Sequence, residues 1–215
     1  MSQTIALTIS RQVASGGDPL GRLLAQRLGF TFLNRAILRE SALHLDKNPQ
    51  AAGVAGDRPA GFWANLLSMF AVSGQPLTGG PAPMASYAGD RHLFEAEAGI
   101  ISEVAARWDI VLVGRGGFSV LANHPGLVSV FIMAPRLDRA RALLEGLMLA
   151  SLDEALEVLD TCDRERGEFL ETMTGRRWSE ATNYHLCLDI GRLDLQTAAD
   201  MIVTMVEKTR QSWKP

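Results

Sequence analysis

One stretch constrains this chain more than any other: Ile5-Ala-Leu-Thr-Ile-Ser-Arg-Gln-Val-Ala-Ser-Gly-Gly-Asp-Pro-Leu-Gly-Arg-Leu-Leu-Ala. Its apolar opening, in which Ile5, Leu7 and Ile9 alternate with the small Ala6 and Thr8, reads as a strand expected to lie centrally in the sheet, and its glycine pair as a tight loop. Leu20, Leu23, Leu24 and Leu28 then recur at helical spacing. Asp18 suits an N-cap and Pro19 the first helical position. A strand that enters a helix through such a loop makes an anion site, because unpaired amides and the positive end of the helix dipole point at one spot. Gly16 and Gly17 fall where those amides converge.

Set against the phosphate-loop pattern G-x-x-x-x-G-K-[ST], the stretch places Arg11 at the first glycine and Gly16 at the second. Gly17 then stands at the lysine and Asp18 at the Ser/Thr. One signature position of four survives, so the pattern by itself fits an ordinary strand-to-helix turn equally well.

Ser10-Arg-Gln-Val-Ala-Ser-Gly-Gly-Asp-Pro-Leu-Gly resembles the S-R-Q-x-G-S-G-G-x-x-I-G opening of the cytidylate kinase-like proteins, a branch of the P-loop nucleoside monophosphate kinases. Val111-Leu-Val-Gly-Arg-Gly-Gly is similar to that family's strand ending in V-G-R. Asp163-Arg-Glu-Arg, Thr174-Gly-Arg-Arg-Trp and Asn183-Tyr-His-Leu-Cys-Leu-Asp follow in the family's order, while the match thins between about Leu45 and Arg91. The resemblance implies a P-loop NTPase-type three-layer α/β sandwich whose five-stranded parallel sheet carries helices on both faces. It also implies ATP with Mg²⁺ as donor, a nucleoside monophosphate such as CMP as acceptor, and a lid-like helical region at about 160–178 whose arginines fold over the phosphates.

The rest of the chain reads as strands alternating with helices, which calls for a parallel sheet with right-handed crossovers. Gly29-Phe-Thr-Phe-Leu reads as a short strand, Gly29 ending the helix before it, with Asn34 and Arg35 at its far end, a position where ligands collect in parallel sheets. Similar monophosphate kinases often carry an Asp where Asn34 stands. A helix is expected over Arg35–Leu45, including Arg39. Residues 46–90 then change character, with Pro59, Pro76, Pro81 and Pro83 around one apolar island, Phe62-Trp-Ala-Asn-Leu-Leu-Ser-Met-Phe. This reads as an insertion with one helix, at the place of the acceptor lobe in monophosphate kinases, or as a plain flexible loop.

Ile110-Val-Leu-Val is an uninterrupted apolar strand, expected at the sheet centre. Arg115 follows it among Gly114, Gly116 and Gly117, and a phosphate contact is favoured there over a structural salt bridge, because a desolvated guanidinium calls for an anion. Arg136, Arg139 and Arg141 read as a solvated helix face. The helix from Ser151 opens with a capping box and carries Arg164 and Arg166; either can point inward, since Glu165 and Glu168 offer each an intrahelical partner.

At 215 residues, 47% hydrophobic, the chain reads as a single P-loop kinase-like domain with that insertion. A net charge of -3 argues against nucleic acid or a membrane surface as the main partner. The N-terminus lacks a signal pattern and no apolar run reaches membrane-spanning length, so a cytoplasmic location is expected. Cys162 and Cys187 read as reduced thiols, and the four histidines are scattered singly.

The leading reading is phosphoryl transfer from ATP to a small phosphorylated acceptor. Ser15, Gly16, Gly17 and Asp18 would cradle the donor phosphates, Arg115 with Arg35 or Arg39 and Asn34 would meet the acceptor, and Arg164 or Arg166 would cover the transferring group. Arg11 is the candidate to replace the missing lysine, and Asp18 is either a Mg²⁺ ligand or a helix cap, with the cap slightly ahead. The rival is a nucleotide- or phosphate-binding module with little or no catalysis. A third reading is a kinase for another small acceptor.

Overall fold

The computed structural model describes residues 3–34, 87–147 and 149–212, apart from the side chains of 87–90 and 147. The expected helix over Arg35–Leu45, with Arg35 and Arg39, and nearly all of the 46–90 insertion lie outside the described residues.

Strands β1 (Ala6–Arg11), β2 (Thr31–Leu33), β3 (Ile110–Val113), β4 (Leu127–Met133) and β5 (Leu186–Asp189) form one sheet in the order β2-β3-β1-β4-β5. Every pairing is parallel. β1 lies at the centre, as expected, with Leu7 in register with Val111 on one side and Val128 on the other. β3 is buried on both faces but sits one strand off centre, between β1 and β2.

The alternation along β1 sorts its side chains between two layers. Leu7 and Ile9 face α1 (Gly17–Leu28) and the C-terminal helix, meeting Leu20, Leu24, Ala198 and Ile202 in one core. Ala6 faces the other way, toward Ile100, Ile101 and Val104 of α2 (Tyr87–Ala105). Thr8, on that same face, stays small because α3 (Gly117–Val120) lies directly on it: a Cβ on Gly117 would come within 3.0 Å of Thr8 Cγ2. Each fully buried leucine or isoleucine in these layers contributes about 1.5–3 kcal/mol.

α4 (Arg136–Leu147) and α5 (Leu152–Thr174) follow β4 and pack on each other before the chain returns through β5 to α6 (Leu195–Gln211). α5 begins at the expected cap: Ser151 Oγ accepts from Glu154 N at 3.2 Å, while Glu154 Oε2 reaches one residue past the cap and accepts from Ala150 N at 2.8 Å. Its C-terminal half sends Phe169 and Leu170 into an aromatic cluster with Phe94, Phe118, Phe131 and Trp178. The helix expected to act as a lid is thereby packed against the body of the domain.

Candidate phosphate-loop site

The loop between β1 and α1 is bent by two residues in the left-handed region, Ala14 (φ 55°) and Gly16 (φ 77°). Ser15 closes it, its hydroxyl donating to Gln12 O at 2.8 Å. The first helical hydrogen bond runs from Leu20 N to Gly16 O at 3.1 Å. Gly16 is therefore the N-cap, which corrects the expectation for Asp18: the left-handed turn at Gly16 starts the helix two residues earlier, and Asp18 lies within its first turn without a capping bond. Among the described residues none accepts from the N–H groups of Gly16, Gly17 or Asp18. These amides stand at the positive end of the helix dipole, as an anion cradle requires.

Asp18 instead pairs with Arg11, Nη2 to Oδ2 at 3.1 Å. The stem of Arg11 lies across Gly17, so that a Cβ there would come within 2.7 Å of Arg11 Cγ, and its Nη1 abuts Gly114 at the end of β3. The guanidinium thus sits at the loop, reaching it from the end of β1 rather than from the helix.

α5 settles which of its two arginines faces inward. Arg164 is exposed, whereas Arg166 donates from Nη1 to Arg11 O at 2.8 Å and lies over the Trp178 ring at 5.8 Å. Burial, joined by the neighbouring charge of Arg11, brings the Arg166 guanidinium down to about 10, which leaves it protonated at neutral pH. The space for Trp178 comes from Gly167, where a Cβ would lie 2.7 Å from Nε1.

Two residues hold the loop in a role the sequence does not give them, Arg139 and Asp163. Arg139 was expected on a solvated face; it is 5% exposed. It donates to Asp163 Oδ2 at 2.7 Å and to Val13 O at 3.2 Å, and Asp163 Oδ1 accepts from Val13 N at 2.8 Å. The signal was present, since Arg139 lies four residues before buried Leu143, on the inward face of α4. Arg136 and Arg141 do lie at the surface, paired with Asp160 and Asp138.

Arg115 adopts φ 56° between two left-handed glycines, and its guanidinium pairs with the buried carboxylate of Glu97. It also lies over the Phe169 ring at 5.9 Å. This is the structural ion pair that a phosphate contact was favoured over, and Glu97, inside α2, gave no sign of it in the sequence. Asn34 stands at the end of β2, separated from β1 by β3. Tyr184 reaches back with its hydroxyl to Trp178 O, and burial pushes its phenol up to about 12. Among the described residues no three His, Cys, Asp or Glu side chains converge on a metal position.

The cytidylate kinase-like family model matches residues 6–192. The chain belongs to that family. No curated protein matches it. Among solved structures it is similar to an uncharacterized protein from Eubacterium ventriosum ATCC 27560, with 19% identity and a TM-score of 0.70 over 95% of this chain and 99% of that one. A gluconokinase from Sinorhizobium meliloti 1021 is 12% identical with a TM-score of 0.56, all of both chains being covered. A shikimate kinase from Bacteroides thetaiotaomicron is 14% identical with a TM-score of 0.52, over 94% of this chain and 98% of that one. At such identities the likeness is one of fold, and the fold is that of the P-loop kinases. No helix among the described residues is long and apolar enough to cross a membrane.

Proposed function

We propose that the protein transfers a phosphoryl group from ATP to a small phosphorylated acceptor, with CMP the first candidate. The observation that carries this reading is the exchange of side chains between Arg11 and Gly17. Where the phosphate-loop pattern has glycine this chain has arginine, and where the pattern has lysine it has glycine. A cation is kept at the loop by moving its attachment from helix to strand. A guanidinium also offers a phosphate two parallel hydrogen bonds, which an ammonium does not.

Phosphoryl transfer asks a protein chiefly to position the groups and to offset developing charge. The amides of Gly16, Gly17 and Asp18, with Ser15 shaping the turn, would bind the donor phosphates; Arg11 and Arg166 would flank them. Arg166 belongs to the region 160–178 and would serve as the covering arginine, a role that Arg164 is too exposed to take. Arg115, with Arg35 or Arg39 and Asn34, remains the proposed acceptor side. There the Glu97 pair would hold the Arg115 guanidinium oriented. The 46–90 insertion would supply the acceptor lobe.

Asp18 fits Mg²⁺ as a single carboxylate ligand: Oδ2 is taken by Arg11, while Oδ1 accepts from no described donor and nearly half the side chain is exposed. Mg²⁺ commonly binds through one or two carboxylates together with substrate phosphates. When bound it would offset charge on the donor phosphates.

A binding module with little catalysis is favoured by one observation, that Arg11 and Arg115 each already face a carboxylate. Incubation with ATP and Mg²⁺ and a panel of acceptors, CMP and non-nucleotide phosphates included, separates the readings. Transfer to one acceptor supports the kinase. ATP binding without transfer to any of them supports a nucleotide-binding module, and absence of both ATP and inorganic phosphate binding contradicts both readings.

A further inference from the structure

Buried ion pairs are weak sources of stability, because desolvation offsets most of their attraction. The Arg139–Asp163 pair differs in what else it holds. Both partners bond the backbone of one loop residue, Asp163 taking the N–H of Val13 at 2.8 Å and Arg139 its carbonyl at 3.2 Å. Arg139 Nε is fixed in turn by Ala134 O at 3.0 Å. Apolar substitutes would leave both backbone groups of Val13 without these partners.

The neighbours of Val13 are held in the same manner. Arg166, one turn beyond Asp163, donates to Arg11 O at 2.8 Å, and Gln12 donates from its backbone to Ile132 O at 3.0 Å. Three successive residues before the left-handed turn at Ala14 are thus tied to β4, α4 and α5 through backbone bonds. The groups left for a ligand are the amides beyond that turn.

We infer that Arg139 and Asp163 are positioning residues that hold the phosphate loop in register and tie it to α5. They touch no ligand themselves. By gripping Val13 they set the direction in which the chain enters the turn, and so where the Gly16 and Gly17 amides point. Because Asp163 and Arg166 share a helix face, the same contact places Arg166 beside Arg11, 3.8 Å from the Asp163 carboxylate. The inference rests on the proposed nucleotide-binding role of the loop. Its geometry can be tested apart from that role.

The test compares full-length wild type with Asp163→Ala, Asp163→Asn and Arg139→Ala, reading ATP affinity by calorimetry, melting temperature, and the Gly16 and Gly17 amide chemical shifts without ligand. Turning away even one amide that donates to a phosphate removes a charge-assisted hydrogen bond, which is worth roughly ten- to a hundredfold in affinity. Asp163→Ala is expected to weaken ATP binding by about ten- to a hundredfold and to move both glycine signals. Asp163→Asn keeps an oxygen for Val13 N–H and is expected to recover most of the affinity. A lower melting temperature with unchanged affinity and unmoved glycine signals would overturn the inference, leaving the pair merely structural. Should Asp163→Ala not fold, the same comparison is made with Arg139→Ala. If wild type binds no ATP, the functional reading fails, and the glycine signals alone decide: moved in the variants they support positioning, unmoved they refute it.

Discussion

Arg11 and Gly17 share one volume: the stem of the arginine fills the space that any side chain on the glycine would need. The two positions are therefore coupled. Gly17→Ala is expected to destabilise the protein by about 1–3 kcal/mol through overpacking against that stem. In an Arg11→Ala background the same change should cost far less, and a double-mutant cycle from denaturant melts reads the difference. Additive effects would mean that the stem does not lie on Gly17 in solution.

Ala14 holds a left-handed conformation at the position where the family's opening has glycine. An L-residue there costs about 1–2 kcal/mol, partly offset by the entropy glycine loses on folding. Ala14→Gly should raise stability by about 0.5–1 kcal/mol. Differential scanning calorimetry checks this, and a lower melting temperature would count against the loop geometry.

Removing Arg115 leaves Glu97 buried without its guanidinium. Breaking such a pair costs about 3–5 kcal/mol, so Arg115→Ala should lower the melting temperature severely. Glu97→Gln together with Arg115→Met should recover a large part of the loss. A stable Arg115→Ala protein whose only defect is acceptor binding would assign Arg115 to the ligand alone.

The pH dependence of Tyr184 has a definite sign. Its phenol is held neutral up to about 12 in the folded chain, against about 10 when unfolded. The unfolded state loses its proton first, so the contribution of Tyr184 is whole below pH 10 and falls as pH rises through 12. Relative to Tyr184→Phe, wild type should lose stability across that interval. A constant difference in melting temperature from pH 9 upward would mean that Tyr184 is not buried as described.

Much of this arrangement was legible in the sequence, for local reasons. The central place of β1 followed from Ile5, Leu7 and Ile9 alternating with Ala6 and Thr8, and the start of α5 from its capping box, both properties of neighbouring residues. The error at Asp18 was also local: cap statistics favour Asp, but the left-handed turn at Gly16 starts the helix earlier. What could not be read was long-range. Glu97 lies 18 residues from Arg115, and Asp163 lies 150 from Val13, so no spacing rule joins them. Arg139 is a local exception: its charge points to solvent, while its place four residues before Leu143 sets it on the inward face of α4.

The central claim is that Arg11 supplies the cation that a phosphate-loop lysine would otherwise provide. Calorimetric titration of ATP with Mg²⁺ into wild type and Arg11→Ala tests it most directly. A charge-assisted hydrogen bond is worth about 1.5–3 kcal/mol, so the variant should bind roughly ten- to a hundredfold more weakly while remaining folded. Equal affinity of the two proteins for ATP would contradict the claim.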